Sequence, residues 1–136
     1  PPTDIADLIH RAGADGIVHY LDFVPDDDLP ALYASSDFVA YISRYEGFGL
    51  PVLEAMAAGK PVVTANTTSL AEVAGDAALL VDPTSIDEIA QAFHWLARDG
   101  RIRATLASHG RNHARTFSWQ RAGNESLEAL QMALKP

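Results

Sequence analysis

Apolar residues in this chain fall into short runs that alternate between two spacings. Asp37-Phe38-Val39-Ala40-Tyr41-Ile42 and Pro61-Val62-Val63-Thr64-Ala65 are compact and rich in β-branched and aromatic residues, and predict buried strands over 37–43 and 61–65. Ile17 to Val24, closed by Pro25, and Ala78-Leu79-Leu80-Val81 predict two more. Between these runs the apolar spacing lengthens to three and four. Ile5, Leu8 and Ile9 predict a helix over 4–12 with Gly13 as its stop, and Asp26-Asp27-Asp28 leads into another near 29–34. Val52, Leu53, Met56 and Ala57 predict a helix over 51–58 that Gly59 ends, and a short one follows over 69–73. This alternation defines an α/β chain with a mainly parallel sheet and helices on both faces. After Asp82-Pro83 only helical spacing remains. Ile86, Ile89, Ala90, Phe93 and Leu96 predict one apolar stripe, and Ile102 and Leu106 mark a second helix, broken near Gly110. Ser118 is the expected N-cap of a third, with Trp119, Leu127, Leu130 and Leu134 turned inward. Trp95 and Phe117 join the expected packing residues.

Composition narrows the class. A chain of 136 residues suits one domain, here an alternating part over 1–83 and helices over 84–136. With 48% hydrophobic and 21% charged residues it is not a disordered segment. It has no cysteine, which removes disulfides, thiolate metal sites and a cysteine nucleophile, and suits a reducing, cytoplasmic compartment. A formal charge of −8 argues against a general electrostatic grip on nucleic acid or anionic lipid. No apolar run approaches the ~18 residues a membrane span needs. The start at Pro1-Pro2, without Met, points to a fragment or a processed product.

Several familiar motifs fail on their residues. Gly47-Phe48-Gly49 opens like a dinucleotide fingerprint, but Val52 stands where the third glycine belongs. Gly59-Lys60 resembles the end of a phosphate-binding P-loop, but Glu54 replaces its first glycine and Pro61 its Ser or Thr. His109 and His113 have the spacing of a zinc pair on a helix without a nearby third ligand or a general-base glutamate. Asp26 to Asp28 lacks calcium-loop spacing and reads as a solvated loop that caps the next helix.

The segment Tyr45-Glu46-Gly47-Phe48-Gly49-Leu50-Pro51-Val52-Leu53-Glu54 carries the chemistry. It is a glycine-bearing turn that follows a strand and opens a helix, with Pro51 where a missing N–H is no loss. Free backbone N–H groups at Gly49 and Leu50, together with the helix dipole, suit an anion such as a diphosphate. Glu54, one turn inside the helix, offers two acceptor oxygens that suit the vicinal hydroxyls of a ribose. Glu46, in the loop, suits the hydroxyls of a second sugar. The order acid, amides, acid complements sugar, diphosphate, ribose. The same residues also fit a plainer arrangement, with Glu54 on an exposed helix face and Glu46 as a loop charge.

A resemblance bears on that choice. Glu46-Gly47-Phe48-Gly49-Leu50-Pro51-Val52-Leu53-Glu54-Ala55-Met56-Ala57-Ala58-Gly59-Lys60-Pro61-Val62-Val63 resembles the E-x7-E signature of retaining glycosyltransferases of family 4, which have the two-domain GT-B fold. Phe23-Val24-Pro25 with Leu29-Pro30-Ala31-Leu32-Tyr33 is similar to a second segment of that family. So are Ser69 to Pro83, with Ala71 where proline is usual, and Phe117-Ser118-Trp119. The match covers nearly the whole chain. It implies part of the C-terminal, nucleotide-sugar-binding domain, an incomplete Rossmann-like sheet ending in helices. The position of Glu54 would hold the donor ribose. Glu46 would contact the transferred sugar near the reaction centre, as the catalytic position. Gly47, Phe48, Gly49 and Leu50 would contact diphosphate and sugar, and Val24 would line the base pocket. The parent protein is then expected to transfer a hexose from a nucleotide-diphosphate sugar to a glycan, lipid-linked or small-molecule acceptor. Members of the family need no metal or other cofactor, and the acceptor is thought to attack the anomeric carbon on the face from which the nucleotide diphosphate departs, through an oxocarbenium-like state that retains configuration.

The chain departs from that pattern at its start. The family's basic strand-loop that grips the diphosphate, its next strand and its acceptor-binding domain have no counterpart here, and Arg44 and Lys60 are the only basic residues near the turn in sequence. The isolated chain is therefore expected to be inactive. The family's strand order, 3-2-1-4-5-6, leaves the strand near Asp37 to Ile42 with an open side. A missing segment, a partner chain, a swapped copy or the 17–24 strand is expected to cover it. Peripheral membrane contact is compatible with the whole protein, and nucleic acid is not an expected partner. Two rivals remain on sequence alone: a non-catalytic interaction module of the same fold, and another GT-B enzyme such as a phosphorylase.

Overall fold

The computed structural model describes residues 3–134. The chain forms two compact units, residues 1–30 and 31–136. The first holds α1 (Thr3–Arg11) and the segment that follows it. α2 (Leu29–Ser35) begins at the boundary. The second unit holds β1 (Val39–Tyr41), α3 (Leu50–Ala57), β2 (Val62–Ala65), α4 (Thr68–Ala74) and β3 (Leu79–Val81). They are followed by α5 (Ile86–Arg98), α6 (Gly100–Ala114) and α7 (Trp119–Ala133).

The sheet is parallel throughout, in the order β1-β2-β3, with Val39 opposite Val62 and Val63 opposite Leu79. All four residues of β2 are buried, as a central strand covered on both faces requires. Val62 joins Val52, Ala55, Met56, Leu70 and Val73 in a core under α3 and α4. Val63 meets Val81, Ala92 and Leu96 under α5 on the other face. Thr64, the one buried polar residue among those described, satisfies its hydroxyl by donating to the Tyr41 carbonyl at 2.7 Å. The expected α/β architecture with helices on both faces is therefore present.

Five expectations are corrected. Residues 17–24 are not a strand. Their entry is tied into a turn by the Ile17 and Val18 N–H groups, which donate to the Ala14 carbonyl, and Phe23 is 78% exposed. β-branched composition favours a strand only where a neighbour supplies the ladder, and no described strand does so here. The helix over 100–114 is unbroken at Gly110, which is buried because α6 crosses α3 there. A Cβ on Gly110 would lie 3.0 Å from Met56 Cγ. The stripe of α5 is shifted: Ala92 and Leu96 are buried and Ile89 packs beside them, while Ile86 and Ala90 are exposed. On α7 no residue is buried, and Trp119, Leu127, Leu130 and Leu134 face outward. Trp95 is half exposed as well. Periodicity shows which residues share a face, but burial also needs an element to cover that face.

Local chemistry sets the helix ends. Ser85 and Ser118 accept from the Glu88 and Arg121 N–H groups, as N-caps. Asp99 accepts from the N–H groups of Arg101 and Ile102, and these bonds hold its carboxyl below the usual range. Gly59, with φ 71°, follows the end of α3, where the Arg111 guanidinium from α6 lies against it. Thr68 opens α4 with φ 54°, a left-handed conformation that disfavours a β-branched residue. Thr68→Asn relieves that strain and is expected to raise stability by up to about 1 kcal/mol in thermal melts. An unchanged or lower melting temperature would overturn the assignment of strain.

Candidate functional site

The turn from Ile42 to Gly49 joins the C-terminal end of β1 to α3, so it sits at the edge of the sheet where parallel α/β folds place their ligands. Gly49 caps α3 in the left-handed region, with φ 102° and ψ 47°. It is buried against Leu70 of α4, whose Cδ2 would lie 2.5 Å from a Cβ at this position. The turn thereby packs onto the core without a side chain in the way. Leu50 is the first residue of α3 and Pro51 the second. The N–H groups of Phe48, Gly49 and Leu50 find no hydrogen-bond acceptor among the described residues, and they lie at the positive end of the α3 dipole.

The two carboxylates lie on either side of these amides in the chain, and each is held by a phenol. Tyr41, at the end of β1, donates its hydroxyl to Glu46 Oε1 at 2.7 Å. The Glu46 carbonyl accepts from the Ser69 hydroxyl at 2.8 Å, which ties the loop to α4. Tyr33, on α2, donates to Glu54 Oε2 at 3.0 Å. Its ring packs against the core cluster of Val52, Ala55 and Met56. Burial, then the bond to Glu54 and that residue's charge, push the Tyr33 phenol up to about 12. The Tyr41 phenol is raised by its bond to Glu46, then by burial and the Glu46 charge. Raised phenol values mean that both hydroxyls keep their protons, and so remain donors, throughout the neutral range.

An open apolar cavity of about 280 Å³ lies beside the turn, lined by Phe48, Leu53, Glu54, Ala57, Phe117 and Trp119 among others. Phe48 meets Phe117 edge to face, with centroids 6.3 Å apart, and Phe117 meets His113 at 5.3 Å. His113 donates from Nε2 to the Val73 carbonyl at 2.8 Å. Its place in the helix packing explains its presence. No group of three or more metal-ligating side chains occurs among the described residues.

Six of the sequence-predicted site residues, Glu46, Gly47, Phe48, Gly49, Leu50 and Glu54, therefore lie on one continuous strand-turn-helix unit. Val24 lies in the first compact unit, so its base-pocket role rests on the resemblance alone. Arg44 is exposed in the turn, and Lys60 sits beyond the far end of α3, just before β2. Sequence reasoning missed the supporting hydroxyls. Tyr41 precedes Glu46 by five residues across a strand end, a local signal that was available. Tyr33 lies 21 residues from Glu54, and only the fold joins them.

Such a turn, with carboxylates at both ends and unpaired amides between, at the C-terminal end of a parallel strand, is compatible with the glycosyltransferase class that the sequence resembles. Comparison agrees at the level of family. The family model for glycosyl transferases group 1 matches residues 3–113, and the chain belongs to that family. It is 42% identical over 125 residues to the O-antigen chain mannosyltransferase B of Escherichia coli, a match that covers 92% of this chain and 33% of that protein. Among solved structures, Anabaena Alr3699/HepE in complex with UDP-glucose superposes with a TM-score of 0.85 at 30% identity, over 95% of this chain and 36% of that one. The C-terminal domain of the glycosyl transferase group 1 protein LpcC from Francisella tularensis gives 0.74 at 30% identity, over 83% of this chain and 60% of that one. The chain thus spans about a third of the length of the E. coli relative. No helix among the described residues is long and apolar enough to cross a membrane.

Proposed function

We propose that this chain is the donor-binding part of a retaining glycosyltransferase of family 4 that moves a hexose from a nucleotide-diphosphate sugar without a metal. The observation that supports it best is the pair of phenol-held carboxylates flanking three unpaired backbone N–H groups. In this reading the amides of Phe48, Gly49 and Leu50 take the diphosphate, and Glu54 takes the ribose. Glu46 takes hydroxyls of the transferred hexose next to the reacting carbon. Donors aimed at the departing diphosphate stabilise the charge that develops there, usually a large catalytic contribution. Val24 lines the base pocket. Cations for the diphosphate and the acceptor site come from the rest of the parent enzyme, so the isolated chain does not turn over. The side of β1 away from β2, which is unpaired among the described residues, is covered by another segment of that enzyme or by a partner chain.

The test is calorimetric titration of the full-length transferase with UDP-glucose and GDP-mannose. Glu54→Ala is expected to weaken binding of whichever donor is preferred by about 1–3 kcal/mol, the range of hydrogen bonds to a charged group. Glu46→Ala is expected to retain most of the affinity and lose turnover. Undiminished binding by Glu54→Ala would remove the ribose role of Glu54, and no binding of either donor by the wild type would favour a non-catalytic interaction module instead.

A further inference from the structure

We propose that Tyr33 is a positioning residue for the donor ribose, acting through Glu54; the inference rests on the donor-site reading above. Glu54 is the fifth residue of α3 and is exposed, and among the described residues no side chain of its own helix bonds its carboxylate. An exposed glutamate samples several rotamers, and a ribose that binds through it must first select one. Tyr33 supplies the selection. It is partly buried and packed against the core cluster under α3 and α4, to which Val52, Ala55 and Met56 of the helix that carries Glu54 belong. The hydroxyl is therefore carried by a packed side chain rather than by one free in solvent. At 3.0 Å it donates to Oε2 and leaves Oε1 and the second lone pair of Oε2 for the vicinal hydroxyls of the ligand. A phenol fits the task because it has few rotatable bonds and a donor at a fixed distance from its packed ring. It also brings no charge near the diphosphate, since the phenol is pushed up to about 12 and keeps its proton across the neutral range. Tyr41 and Glu46 repeat the arrangement at the other end of the turn, which marks a shared design rather than a single chance contact.

Tyr33→Phe keeps the packed ring and removes only the donor. In the full-length transferase, titrated with UDP-glucose and GDP-mannose, this variant is expected to bind the preferred donor roughly threefold to tenfold more weakly. Placed in a Glu54→Ala background, Tyr33→Phe is expected to cause no further loss, because its effect runs through the missing carboxylate. Toward the 2′,3′-dideoxy form of the same nucleotide, wild type and Tyr33→Phe are expected to bind equally. Three results would overturn the positioning role: unchanged binding of the ribose donor by Tyr33→Phe, an additive loss in the Glu54→Ala background, or an equal loss toward the dideoxy nucleotide. If Glu54→Ala itself binds like the wild type, the donor-site reading falls first and the role of Tyr33 with it. Those outcomes are separable because Glu54→Ala and Tyr33→Phe are measured independently.

Discussion

Gly49→Ala is expected to destabilise the domain by about 2–5 kcal/mol and to weaken donor binding at the same time. Two costs add. At φ 102° an L-residue meets the steric penalty of the left-handed region, about 1–2 kcal/mol. The new methyl then stands 2.5 Å from Leu70 Cδ2. Leu70 is wholly buried in the core under α3 and α4, so moving its methyl displaces other packed atoms, at about 1–3 kcal/mol for overpacking. Relief by moving the turn instead shifts the amides of Phe48 and Leu50 that the ligand would use. Gly47→Ala is the control, since nothing lies within 4 Å of a Cβ there and its φ is not positive. Thermal melts of the two variants side by side decide the matter. Equal melting temperatures would show that Gly49 is not the packed pivot of the turn.

Met56→Ala is the second large effect, a loss of about 2–5 kcal/mol in denaturant unfolding. Met56 is wholly buried on α3, two residues beyond Glu54, and it fills the crossing with α6. The cavity left behind lies under the helix that carries the ribose-binding candidate, so looser donor binding is expected to accompany the loss of stability. Gly110 provides a specific check. A methyl there meets Met56 Cγ at 3.0 Å in the native chain and is expected to cost stability. With Met56 shortened, the same methyl has room and is expected to recover part of the loss. A double variant no more stable than Met56→Ala alone would place the main cost of that substitution elsewhere than the α3–α6 contact.

How much of this was legible in the sequence depends on the range of the forces involved. β2 and α3 were read well because their signals are local. Val62-Val63-Thr64-Ala65 is a short run rich in β-branched residues, and Gly59 stands one position past the C-cap of its helix. Ser118 was recognisable as an N-cap for the same reason, since a cap bonds within its own first turn. Residues 17–24 failed because a strand is defined by its neighbour. Their enrichment in β-branched and aromatic residues is genuine, yet Ile17 and Phe23 are exposed and no described strand bonds to them. Trp119, Leu127, Leu130 and Leu134 failed for the related reason that an apolar face reports the need for a cover without supplying one.

The sequence by itself determined the α/β class, the place of the turn between a strand and a helix, and the order acid, amides, acid along it. Each follows from covalent spacing and backbone preference, which act over a few residues. Only the tertiary structure decided how the two carboxylates are held. Tyr33 reaches Glu54 across 21 residues, Ser69 reaches the Glu46 carbonyl across 23, and Leu70 closes on Gly49 from another helix. Those contacts are set by the packing of α3 and α4 on the sheet, and packing depends on shapes brought together from distant parts of the chain.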